Sequence, residues 1–66
     1  MTREEARTLF QYAHLPMNLQ RVSKPFYDMA VGMFGIIPDE KGAMRDYALN
    51  DLWQAKNWAV AAVAQE

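Results

Sequence analysis

The chain contains no cysteine and a single histidine. No disulfide can staple it, and no histidine–cysteine zinc site of ordinary spacing can form. Its three glycines are scattered, so there is no glycine-rich phosphate loop. The longest wholly apolar run, Trp58 to Ala64, is far short of the ~20 residues that span a bilayer. Positive charge is not in excess. Seven Lys and Arg face eight Asp and Glu, a net charge of −1, which argues against a DNA or RNA polymer as partner. The opening Met1-Thr2-Arg3-Glu4-Glu5 carries two early acids and no apolar stretch, so no export signal is expected and the cytoplasm is the default location. Catalytic groups are equally scarce. His14 stands alone without a serine–acid constellation, and Asp46 and Asp51 do not form a pair on one helix face. No enzyme activity, catalytic residue, metal site or cofactor is expected.

What is present is a single domain over residues 1–66, 52% hydrophobic and 23% charged, which is not a disordered composition. At this length the conformational entropy of folding roughly cancels what one core can supply. With no disulfide or metal to help, self-association is the remaining route to stability.

Three helices are legible. Thr2 and Glu5 form a T-x-x-E capping box, and Ala6, Leu9, Phe10 and Ala13 recur on one face. Pro16 disfavours helix at Leu15, so this helix is predicted to end near His14, with residues 15–22 as a connection. The second is predicted to start at Ser23 as N-cap, with Pro25 in the first turn and Phe26, Met29, Ala30, Met33 and Phe34 as its core stripe. Gly35 and Pro38 end it. The third begins after Pro38 near Asp39 and Glu40 and runs to about Ala64, roughly 36 Å at 1.5 Å per residue. The predicted fold is all-α: two short helices packed on one long C-terminal helix, in a helical homo-oligomer.

The faces of the long helix support that oligomer. Met44, Ala48, Leu52, Ala55, Ala59 and Val63 form a narrow stripe. Leu49, Trp53 and Val60 lie to one side and Tyr47 and Trp58 to the other. The apolar arc spans roughly 240°, more than two short helices can cover. Part of it is therefore expected to meet another copy. Arg45 and Lys56 are the cations this helix offers, as readily read as solvated as ligand contacts.

One charge asymmetry stands out: between Glu5 and Asp28 there is no acid. The window holds Arg7, Arg21, Lys24, His14 and Tyr12, whose ring lies off the first helix's apolar face. An aromatic platform beside cations, next to a helix start at Ser23, suits a compact phosphorylated base. Amides after Ser23 would face the phosphate, and Arg21 or Lys24 would neutralise it. An exposed tyrosine, solvated cations and a capping serine account for the same residues.

The segments HLPMNLQRVSKPFYDMA and IPDEKGAMRDYALNDLWQAKNWAVAAVA resemble a phage anti-CBASS cyclic-nucleotide sponge family, the second of the anti-CBASS families. The family's pattern has a Leu-Pro connection, a Ser- or Thr-capped helix with a proline, a Pro-Asp turn and a long helix. Ala48-Leu49, Leu52, Ala55-Lys56-Asn57 and Ala59-Val60 match that helix. The likeness covers about residues 12 to 64. It implies a homohexamer without enzymatic activity in the host cytoplasm. Such a protein sequesters cyclic dinucleotides such as 3′,3′-cGAMP, and in some members cyclic trinucleotides, between subunits. It implies Tyr12 as the stacking ring, Arg21 or Lys24 as the basic contact and Ser23 as the hydroxyl. Ala61 stands where relatives often have an arginine, which puts a trinucleotide site in doubt. The competing expectation is a helical oligomer that binds a host protein through Trp53, Trp58 and Tyr47.

Overall fold

The computed structural model describes residues 1–65. Helix α1 spans Arg3–Leu9, α2 Met17–Ile36 and α3 Gly42–Ala64, with one 3-10 turn at Asp39–Lys41 before α3. The architecture is all-helical, with the long C-terminal helix packed against the two shorter ones.

α1 starts as its capping box dictates. The Thr2 hydroxyl accepts from the Glu5 amide at 3.1 Å, and the Thr2 amide donates to Glu5 Oε1 at 2.9 Å. The helix stops at Leu9, five residues earlier than His14. Phe10 is its C-cap and is completely buried, so the chain turns there to put a large ring into the core. The loop that follows is stabilised from α2. The Gln20 side-chain amide donates to the Leu15 carbonyl at 2.8 Å and the Ala13 carbonyl at 3.3 Å. Ala13, expected on the buried face, is exposed, and His14 lies in this loop beyond the helix end.

α2 begins six residues before Ser23, directly after Pro16. Proline fixes its own φ near the helical value and lacks only a donor that a helix start does not need. The Pro16 carbonyl accepts from the Leu19 and Gln20 amides, both at 2.9 Å. Residues 17–22 are therefore helix, and Pro25 sits in the helix interior, where it offers no N–H to the Arg21 carbonyl. α2 passes Gly35 by one residue and closes with the Ile37 amide donating to the Met33 carbonyl at 2.8 Å.

The core is small. Ala6, Phe10, Ala30 and Leu49 are its fully buried apolar residues, with Leu9, Phe26, Tyr27, Met33, Phe34, Leu52 and Trp53 packed around them half-buried. The subunit itself buries only one part of the apolar arc of α3. Met44 is 70% exposed, whereas Leu49 is fully buried and Trp53 packs on the core. Leucine and tryptophan bury more apolar area than the alanine-rich stripe can.

Arg45 fits neither reading: it is buried. Its Nη1 donates to the Ile37 carbonyl at 3.2 Å and to Asp39 Oδ1 at 3.1 Å. Its guanidinium lies 4.3 Å from the centroid of the Phe34 ring. Arg45 thus ties the end of α2 to the start of α3.

Candidate ligand-binding site

Tyr12 lies in the loop after α1, half-buried. Its ring meets Tyr27 of α2 edge-to-face, with centroids 5.3 Å apart and planes at 70°. Arg7, Gln11, Tyr12, Ala13 and Tyr27 line a groove of about 260 Å³. Ligand pockets for small molecules usually run from ~300 to ~1,000 Å³, so this groove is the wall of a site more than an enclosed one.

Lys24 stands one turn before Tyr27 on the same side of α2. Its ammonium donates to Asp28 at 3.0 Å. That bond, the Asp28 charge and the nearby Tyr12 phenol hold its pKa above the ordinary 10.5. Arg7 is similarly engaged, with Glu4 at 2.9 Å. Both pairs are solvent-exposed, and exposed pairs are weak, so an anion could exchange for either carboxylate at little cost. Arg21 is exposed one turn before Lys24 and has no ion-pair partner among the described residues.

The structure therefore brings Tyr12 and Lys24 to one flank, with Arg21 a turn away along α2. It does not place Ser23 at a helix start. Ser23 is mid-helix and 1% exposed, facing inward like Ala30 seven residues later. The amides after it lie inside the helix, so they cannot cradle a phosphate. Its hydroxyl is buried without a hydrogen-bond partner. Sequence reasoning passed over Tyr27 as a site residue. The available signal was its position three residues after Lys24, which puts ring and ammonium on adjacent parts of one helix surface.

Trp53, expected as an interface anchor, is half-buried against the core, whereas Tyr47 and Trp58 are 72% and 78% exposed. Among the described residues there is no group of three or more His, Cys, Asp or Glu that could hold a metal ion, and no helix is long and apolar enough to cross a membrane. Comparison with protein-family models, with curated proteins and with solved structures returns no match.

Proposed function

We propose that this chain is a non-catalytic sponge that sequesters cyclic dinucleotide messengers, as the anti-CBASS family it resembles does, acting for a phage in the host cytoplasm. The observation that carries the reading is the edge-to-face Tyr12–Tyr27 pair beside Lys24. A base stacks on the exposed part of the tyrosine pair, and the phosphates meet Lys24 and Arg21, with Asp28 displaced from Lys24. Arg7, which lines the groove with Tyr12 and Tyr27, supplies a third cation. Because the groove is open and small, the other wall comes from a second subunit of a homo-oligomer, expected as a hexamer. Function is stoichiometric capture, so residence time matters and turnover does not. Ala61 leaves the long helix without the arginine that relatives carry, and cyclic trinucleotides are expected to bind less well than dinucleotides.

Isothermal titration with 3′,3′-cGAMP and a panel of related cyclic nucleotides tests this. The expected result is saturable binding with chemically intact ligand recovered after denaturation. No heat and no thermal shift across the panel would remove the proposal, and recovery of linear product would make the protein an enzyme. The exposure of Tyr47 and Trp58 supports a second reading, a helical oligomer that captures a host protein. In that case Tyr12→Ala leaves partner capture intact.

A further inference from the structure

We infer that the side of the α2–α3 hairpin facing away from α1 is the seam against a second copy, and that this seam is part of what folds the subunit. The inference adds a second contact to the self-association in the preceding proposal, whose groove lies on the opposite flank, and is independent of its ligand.

The placement follows from helix geometry. With Ala30 and Leu49 pointing inward, each residue step rotates the side chain by about 100°. The residues that meet α1 and its loop lie on one flank of both helices. Tyr27 touches Tyr12, Phe34 faces Arg3 at 6.0 Å, Asp46 holds the amino group of Met1 at 2.9 Å, and Trp53 shares a groove with Thr8 and Leu9. On α2, Tyr27 and Phe34 sit about 40–60° from Ala30 in one sense, and on α3, Asp46 and Trp53 sit as far from Leu49. Rotating the other way reaches Met33, then Met29 and Ile36 on α2, and Leu52, then Ala48 and Met44 on α3. In a helical hairpin these two opposite flanks form one continuous side. Among the described residues no element covers it. Met29 is 55% exposed, Ile36 81% and Met44 70%.

Three observations commit this side to another copy. First, a subunit on its own completely buries only two apolar side chains larger than alanine, Phe10 and Leu49. A core that small leaves a chain of 66 residues marginal, so the covering partner has to be present whenever the chain folds. Another copy always is. Second, the molecule measures 41 × 18 × 15 Å, and its radius of gyration is 12.2 Å, against the ~10.8 Å of a compact chain of this length. One broad side of such a slab matches the ~800 Å² per partner of a standard stable interface. Third, the large exposed side chains along this side, Met29, Ile36 and Met44, are apolar; Asp51 lies at its edge, and Arg45, which shares the side, is buried against Phe34 and bonded to Asp39. The side also carries its own knobs, Met29, Ile36 and Met44, beside the small side chain of Ala48, which an isologous two-fold contact requires.

The test substitutes an exposed residue that a lone subunit would not miss. For wild type, native mass spectrometry should give an oligomer, and Tm should rise with protein concentration. Ile36→Glu and Met44→Glu should each shift the mass toward monomer and lower Tm, while Gln54→Glu, exposed on another part of α3, should leave both unchanged. Complete loss of helix in Ile36→Glu also supports the seam, because a surface change on an independently stable subunit is close to neutral. A folded, monomeric wild type, or a double variant Ile36→Glu/Met44→Glu with wild-type mass and Tm, overturns the inference. Cyclic dinucleotide binding is titrated separately in each protein. A monomer that still binds ligand sinks the seam and the second wall of the groove but leaves capture standing, and an oligomer broken by Ile36→Glu that never binds ligand sinks the sponge alone.

Discussion

Replacing Tyr12 with alanine separates the ligand-binding role of this ring from its structural one. Tyr12 is half-buried and reaches the body of the protein through its edge-to-face contact with Tyr27, 5.3 Å between centroids. Losing that contact should cost about 0.5–1.5 kcal/mol of stability beyond lost area. For a domain of this size that is roughly a 2–12 °C fall in Tm. A base stacked on an aromatic ring is worth about 1–3 kcal/mol, so the same substitution should weaken cyclic dinucleotide binding roughly 5- to 150-fold. Tyr12→Phe keeps the ring and should recover most of both losses. Titration calorimetry reads the affinity, and circular dichroism reads helix content and Tm on the same samples. The reasoning is refuted if Tyr12→Ala binds with wild-type affinity while its Tm falls, because the ring would then be packing and nothing more. It is refuted equally if Tyr12→Phe loses as much affinity as Tyr12→Ala, since stacking would not be the interaction lost.

Leu49→Ala removes one of two large, fully buried side chains and should cost about 2–5 kcal/mol, enough to abolish cooperative denaturant unfolding in so small a core. Ser23→Ala deletes a buried hydroxyl that has no partner, so stability should hold or rise by up to about 1 kcal/mol; a clear loss would show that another subunit or a ligand satisfies that oxygen. Thr2→Ala removes the hydroxyl arm of the capping box, leaving the Thr2 amide bonded to Glu5, and should cost about 1 kcal/mol, read as lower helix content and a lower urea midpoint. The backbone amide of Thr2, and then its hydroxyl, hold the Glu5 carboxyl below its ordinary value of 4.5. A depressed folded pKa contributes stability that is present above pH 4.5 and lost as pH falls through the folded value. Acid titration of the amide signals of α1 should show that loss, and Glu5→Gln should abolish it. A Glu5→Gln titration that matches wild type would dismiss this account.

The legibility of the fold followed the range of the forces involved. The start of α1 is a local device, two side chains and two amides within four residues, and the Thr2–Glu5 pair forms as read. The Pro38 boundary and the extent of α3 to Ala64 are likewise local. The end of α1 and the start of α2 were misplaced because two signals competed. Ser23 and Pro25 make a good helix start, but Pro16 makes an earlier one, and Gln20 satisfies the loop carbonyls that precede it. Choosing between them takes the burial of Phe10 and the inward packing of Ser23, which no local window contains.

Sequence alone determined the all-helical class, the capped first turn, the length of the last helix, and the acid-free window from Ala6 to Tyr27. Those properties depend on neighbours a few residues apart, and such interactions are written directly in residue order. Tertiary structure decided which face of α3 turns inward, because an arc apolar over most of its circumference has no unique inner side until α2 and α1 dock on it. It also decided that Arg45 is buried between the Phe34 ring and the Ile37 carbonyl, and that Tyr12 pairs with Tyr27. These contacts join residues 8 to 15 positions apart, and their partners are fixed only when the helices pack.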